Sequence, residues 1–262
     1  GRGSEVSDYF NNSYAPLLNR AISGVYPPGS TFKIASALAG LSSGKITAKT
    51  QIEDTGVMFL GSWSFANWYF TGYGRKEGMV DIVKALQRSN DIFFYRVGEM
   101  VGEKSLGETA VKMGMGKKLG IDLPGEAAGL IPDDTWKRKN IGEGWYPGDT
   151  LHMAIGQGYV LTTPLQILTT TAFVANDGIL IQPHLATVVT QPEDINAVVK
   201  EFRFEPIVKD VFKSEDLELV KQGLAAVSKD GGTAWPFFNF SVPTAGKTGT
   251  AQVPKGNGAG YK

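Results

Sequence analysis

The chain has 262 residues, 42% hydrophobic and 20% charged, enough to bury a sizeable core in one large domain or two small ones. Lys plus Arg is 26 and Asp plus Glu is 26, a balance that argues against a protein whose main work is gripping nucleic acid. Cysteine is absent, which excludes disulfides, thiolate metal sites and a cysteine nucleophile, and only His152 and His184 are available to a serine–histidine–aspartate triad. Both histidines read as surface or structural side chains. No run approaches the ~20 apolar residues of a membrane span, and no charged-then-apolar leader opens the chain. Gly1-Arg2-Gly3-Ser4 reads as a cloning scar, in which case the native protein continues upstream.

Residues 1–26 are polar and rich in Asn, Ser and Tyr. Pro27-Pro28-Gly29 is a turn signal. After Ser30 the run IASALAGL predicts a tightly packed helix of about 12 residues, with Gly44 as its stop. Residues 46–75, rich in aromatics, Gly and Thr, read as short strands and loops. Residues 79–101 read as helical, with Val80, Val83 and Leu86 on one face; Ser89-Asn90-Asp91 interrupts the pattern, and Phe93, Phe94, Val97 and Met100 resume it. Ser105 is placed to cap a helix running to about Met115, and the Gly/Pro-rich residues 116–150 read as irregular. Thr163-Pro164-Leu165-Gln166 is a helix start with Thr as cap, Pro at the first position and Gln at the third; the helix should end near Asn176-Asp177-Gly178. Residues 179–207 alternate as strands do. Ser214 opens a last helix with Leu217, Val220, Leu224 and Val227 at helical spacing, stopped by Gly231-Gly232-Thr233.

Three short motifs carry chemistry. In Ser30-Thr31-Phe32-Lys33 a Ser and a Lys lie one helical turn apart on one face. A serine hydroxyl needs a base, and a lysine sunk in an apolar site loses its proton near neutral pH and becomes one. The pattern alone is weak, since roughly one chance match is expected in a chain this long. Ser42 and Lys45 supply such a match where the apolar run dissolves, and they read as a helix end with a solvated lysine. The plain reading of Ser30 is a helix cap, which it could be as well. Ser89-Asn90-Asp91 is uninformative by spacing, because Ser214-Glu215-Asp216 and Ser228-Lys229-Asp230 match equally; only its place between two apolar runs favours it over a simple helix junction. Lys247-Thr248-Gly249-Thr250 occurs once, flanked by Gly246. Its glycines suit a strand edge that approaches another backbone closely, where a lysine and hydroxyls hold a carboxylate; the plain alternative is a surface turn.

Taken in order, the three motifs resemble the set Ser-x-x-Lys, Ser-x-Asn/Asp, Lys-Thr-Gly of penicillin-binding proteins and class A β-lactamases. The resemblance extends along nearly the whole chain. LLNRAISGVYPPGSTFK, SNDIFFYRVGE, LPGEAAGLIP, WYPGDT, AIGQGYVLTTPLQI, VANDGILIQPHL, GLAAVSKDGGTA and AGKTGTAQ resemble, in the right order, segments of class B penicillin-binding proteins. Asp91 and WYPGDT make it most similar to the elongation-type, monofunctional transpeptidases, the penicillin-binding protein 2 group.

The resemblance implies the α/β serine acyl-transferase fold shared with β-lactamases and a peptidoglycan D,D-transpeptidase acting on stem peptides and acylated by β-lactams. It implies Ser30 as nucleophile, Lys33 as its base, Ser89 as proton shuttle, and Asp91 where relatives usually have Asn. Lys247, Thr248, Gly249 and Thr250 then form the carboxylate-binding strand, and the Ser30 and Thr250 backbone N–H groups form an oxyanion hole. It implies no cofactor and no nucleic-acid partner. Some elongation-type relatives hold zinc with Cys and His ahead of the second motif; FANWYFTGYGRKEGMVDIVKALQRSND has neither, so no zinc is expected. Intact relatives have a membrane anchor, work on the periplasmic or outer face of the cytoplasmic membrane, and associate with a cell-wall glycosyltransferase. With 29 residues before Ser30 and 12 after Thr250, the family's flanking sheet strands are expected to be missing, leaving residues 1–262 as one mostly helical transpeptidase domain truncated at both ends. The alternatives are a serine β-lactamase, whose relatives with STFK usually carry Ser-x-Val, and a β-lactam sensor that binds without turnover.

Overall fold

Glycine, proline and cap residues divide the chain into short elements, which the computed structural model describes from residue 3 to residue 252. Helix α1 (Gly3–Phe10) leads to one tight helical turn (Gly29–Phe32) that winds directly into α2 (Lys33–Ser42). Then come β1 (Ile52–Asp54), β2 (Val57–Leu60), β3 (Trp63–Ala66), α3 (Trp68–Tyr73) and β4 (Gly78–Val80). Five helices follow: α4 (Ile82–Arg88), α5 (Asp91–Lys112), α6 (Asp134–Ile141), α7 (Pro147–Ala154) and α8 (Pro164–Ala175). Strands β5 (Leu180–Ile181), β6 (Val188–Gln191), β7 (Asp194–Glu201) and β8 (Pro206–Val208) precede α9 (Ser214–Val227). The strands pair antiparallel in twos: β1 with β4, β2 with β3, β5 with β8 and β6 with β7.

Helix α2 is the centre of the molecule. Every residue from Lys33 to Leu41 is buried, as a helix of small and apolar side chains on all sides must be. It packs against α5 and α9, and α4 lies along α9. Phe32, Phe93, Phe94 and Phe173 are shut off from solvent in this core, each worth about 1.5–3 kcal/mol of burial. Helices α5 and α7 come together where a Cβ on Gly98 would lie 2.6 Å from that of Ala154.

The helix start read at Thr163-Pro164-Leu165-Gln166 is met. Thr163 and Gln166 bond reciprocally at the start of α8, and Asn90 caps α5 by accepting the Phe93 N–H. Leu217, Val220, Leu224 and Val227 form the buried face of α9. Other expectations are corrected. Val80 lies on β4, and the helix begins at Ile82 because Asp81 accepts the Lys84 N–H. Ser105 caps nothing: α5 runs on to Lys112, with the break absorbed at Gly102 (φ 75, ψ 168), so helical bonding resumes ahead of Ser105. Residues 116–150 are not all irregular, since Asp133 caps α6, and α7 starts at Pro147 with Asp149 Oδ2 accepting the Tyr146 N–H at 2.8 Å. Both helices have eight residues, too short to show a periodic face, and their caps carry the signal. Met100, read as part of the apolar face, is 40% exposed.

Candidate active site

The site is assembled where α2, α5 and the chain leading to residue 250 meet. Pro27 and Pro28 lead into the tight turn, and Gly29 adopts φ +55, the left-handed region that suits glycine. Its N–H donates to the Gly156 carbonyl at 2.9 Å. A Cβ there would lie 2.4 Å from the Thr250 carbonyl oxygen, so Gly29 lets the segment around Thr250 reach the residue beside Ser30. Ser30 is half-buried within the turn. It is not a helix cap: the cap positions of the turn and of α2 fall on Pro28 and Phe32, both in helical φ/ψ and neither with a side-chain bond. The turn continues smoothly into the helix and leaves no cap for a serine to fill.

Lys33, one turn on, is fully buried. Its Nζ donates to Asp91 Oδ1 at 2.5 Å, to the Ser89 carbonyl at 2.8 Å and to Ser89 Oγ at 3.3 Å. An ammonium has three donors, and three acceptors surround this one. Ser89 closes α4 in the left-handed conformation (φ 51, ψ 42), which turns its carbonyl and hydroxyl to the same lysine. Asp91 is the first residue of α5. Its Oδ2 accepts the Trp68 N–H at 2.9 Å, and its own N–H donates to Asn67 Oδ1 at 3.1 Å. Burial pushes the Lys33 amine below its usual range, and the Asp91 carboxylate pushes it back up. Burial and the same carboxylate push the nearby Tyr95 phenol above its usual range.

Lys247-Thr248-Gly249-Thr250 lies against the opening of α2, but not as a strand: residues 243–252 form no ladder with any described residue. A strand needs a partner edge, and none of the four described strand pairs lies alongside. The segment is tied instead by Gly246 N–H to the Leu224 carbonyl (3.1 Å), by the Thr248 and Thr233 hydroxyls (2.7 Å), and by Gln157 Nε2 to the Thr250 carbonyl (3.4 Å). Gly249 packs on the turn, where a Cβ would come within 2.9 Å of Thr31 Cγ2. Lys247 is half-buried and donates to the Thr248 carbonyl at 3.0 Å. Burial, and then the charge of Lys33, push its amine well below the usual lysine range. A groove of about 350 Å³ adjoins the segment, lined by Tyr26, Pro28, Thr31, Thr162, Ile167 and Gly249 among others.

All eight residues singled out from the sequence therefore gather in one place, while their look-alikes lie elsewhere: Ser42 and Lys45 are exposed at the end of α2, and Ser214 and Asp216 sit at the start of α9. His152 packs on the Phe65 ring and His184 stacks on Phe204. Spacing gave no sign of Asp54, Asn67 and Trp68, which reach Asp91 through backbone and amide bonds that only the folded chain creates. Among the described residues no group of three or more His, Cys, Asp or Glu is placed to hold a metal ion.

Burial and mutual repulsion of the two lysines make loss of one ammonium proton easier, and an amine so placed, one helical turn from a serine, suits acyl transfer. Comparison with known proteins agrees. The sequence pattern of the penicillin binding protein transpeptidase domain matches residues 3–262. The peptidoglycan D,D-transpeptidase MrdA of Escherichia coli K12 is 39% identical over 254 residues, which cover 95% of this chain and 39% of that protein. Among solved structures, Pseudomonas aeruginosa PBP2 in complex with WCK 5153 superposes with a TM-score of 0.84 at 36% identity, covering 96% of this chain and 54% of that one. PBP2 from Helicobacter pylori, solved in complex with MreC, gives 0.82 at 33% identity, covering 96% and 44%. The fold is thus that of these transpeptidase domains, and the chain spans about two fifths of the length of the curated relatives it matches.

Proposed function

The chain belongs to the penicillin-binding protein transpeptidase family, and from that premise we propose that residues 1–262 form one domain, the acyl-transfer domain of a peptidoglycan D,D-transpeptidase of the elongation type. The observation that carries this reading is the buried Lys33 held between Ser89 and Asp91, one turn from Ser30.

Ser30 Oγ attacks the carbonyl of the penultimate D-Ala in a D-Ala-D-Ala stem peptide, and Lys33, when neutral, takes the hydroxyl proton. The Ser30 and Thr250 N–H groups receive the oxyanion. Ser89 Oγ, 3.3 Å from Lys33 Nζ, passes the proton to the departing D-Ala amine as the peptide bond breaks. Lys247, Thr248 and Thr250 hold the terminal carboxylate, with Gly249 allowing the close approach. A carboxylate beside Lys247 restores the ammonium that burial disfavours. An amine of a second stem peptide then attacks the Ser30 ester, forms the cross-link and returns the proton to the serine. A β-lactam acylates the same oxygen, but its ring nitrogen stays tethered and blocks that second attack.

The longer protein is proposed to work on the periplasmic face of the cytoplasmic membrane, held there by a membrane anchor and beside a cell-wall glycosyltransferase. The complex of the Helicobacter pylori relative with MreC supports an assembled setting of this kind. Among the described residues no helix is long and apolar enough to cross a membrane.

The test is intact-mass spectrometry of the chain with a fluorescent penicillin, with Ser30→Ala as control. A stable adduct, lost in Ser30→Ala, is the expected result. Fast turnover to hydrolysed drug would favour a β-lactamase. A stable adduct combined with no release of D-Ala from any donor peptide would favour a sensor.

A further inference from the structure

Asp54 ends β1 with its carboxylate buried, and among the described residues its bonding partners include no cation. Oδ1 accepts the Gly56 N–H at 2.8 Å. Oδ2 accepts Asn67 Nδ2 at 2.7 Å, Asn90 Nδ2 at 2.9 Å and the Glu77 N–H at 3.0 Å. A carboxylate only accepts, so both amides must turn their NH2 groups towards it and their oxygens away. Those two oxygens then meet the start of α5: Asn67 Oδ1 takes the Asp91 N–H at 3.1 Å, and Asn90 Oδ1 takes the Phe93 N–H at 2.8 Å. The first N–H groups of a helix have no partner within it, so these bonds fix where the helix begins. An asparagine at position 54 would face at least one of the four donors with its own NH2. Trp68, next to Asn67, donates its N–H to Asp91 Oδ2 at 2.9 Å, so one junction grips both the backbone and the carboxylate of Asp91.

We propose that Asp54 is a positioning residue for acylation: by fixing the amide orientations of Asn67 and Asn90, it sets where Asp91 holds Lys33. This role rests on the acyl-transfer reading, yet Asp54 touches neither Ser30 nor Lys33. The other charged or titratable groups facing this pair are Lys247 and Tyr95.

The experiment compares the 262-residue chain with Asp54→Asn by amide hydrogen exchange and by the pH profile of penicillin acylation. In folded Asp54→Asn the Asp91 and Phe93 amides are expected to exchange at least about tenfold faster, the scale of one lost hydrogen bond, while Leu38 in α2 keeps its protection. The midpoint of the rising acylation limb should move to lower pH, because a slackened Asp91 favours the charged lysine less. A purely structural role would lower protection everywhere alike and leave the midpoint in place, and that result overturns the proposal. Asn67→Ala serves if Asp54→Asn does not fold: it should release the Asp91 amide and spare that of Phe93, and an unchanged Asp91 amide there also overturns the proposal. If the unsubstituted chain takes no penicillin, the acyl-transfer reading falls, while the exchange data still decide whether Asp54 places Asp91.

Discussion

Lys33, Ser89 and Asp91 sit at helix ends inside the core, none more than 8% exposed, and three hydrogen bonds converge on the Lys33 ammonium alone. Lys247 to Thr250 lie in an extended segment without a ladder, half-buried or exposed, and held by isolated bonds such as that between Thr248 and Thr233. The difference follows the work proposed for each half. A proton is passed only between groups fixed to within a few tenths of an ångström in a dry setting, so that half is embedded in helices. A surface that receives a carboxylate and then lets it go stays accessible and yields more readily.

The largest effect is expected from breaking the buried half. Lys33→Ala removes the base and should slow acylation about 10²–10⁴-fold. It also leaves the Asp91 carboxylate buried and unpaired, at about 3–5 kcal/mol in urea unfolding. The double variant Lys33→Met/Asp91→Leu should recover most of that stability and none of the acylation, separating chemistry from fold. A smaller effect is expected where the halves touch. Gly29→Ala forces a side chain into φ +55 and against the Thr250 carbonyl, costing about 1–3 kcal/mol and displacing the Lys247 segment, read as slower acylation at low β-lactam concentration. Thr248→Val, in the yielding half, loses one hydroxyl bond worth about 1 kcal/mol or less and should leave Tm nearly unchanged while weakening carboxylate binding.

The smallest effect is on pH dependence. The folded Lys247 amine titrates well below its unfolded value, so the unfolded chain binds more protons between the two. Stability contributed by this residue therefore rises with pH across that window, up to the ordinary lysine range of about 10.4. Lys247→Met should flatten that rise in chemical denaturation curves taken between neutral pH and pH 10. An unchanged slope would mean the amine is solvated as an ordinary surface lysine.

Much of this contrast was legible in the sequence, but unevenly. The buried half announces itself through local chemistry: a Pro-Pro-Gly turn before Ser30, an apolar run after Lys33, and a polar break at Ser89-Asn90-Asp91 that is a helix junction as well as part of the site. The three motifs, taken together, singled out residues that the fold brings to one place, which no one of them did alone. Three features were not legible: two depend on distant contacts, and the third on helices too short to show a hydrophobic period. The Lys247 segment lacks the strand form its glycines suggested, since strand structure belongs to a pair and not to one segment. Asp54 ends β1 and Asn67 precedes α3, in a stretch of short elements with no motif of its own, and only folding brings them to the start of α5. Helices α6 and α7 rest on caps rather than on a hydrophobic period.

The central claim is that Asp91 keeps the proton on Lys33 and that acylation waits for its loss. The most direct measurement is the pH profile of penicillin acylation in the unsubstituted chain and in Asp91→Asn. Without the carboxylate the ammonium loses its main support, so the midpoint of the rising limb should fall by about one pH unit or more. A midpoint that stays in place, in a variant that is folded and still acylated, would contradict the account, because the group that titrates would then not be the lysine Asp91 holds.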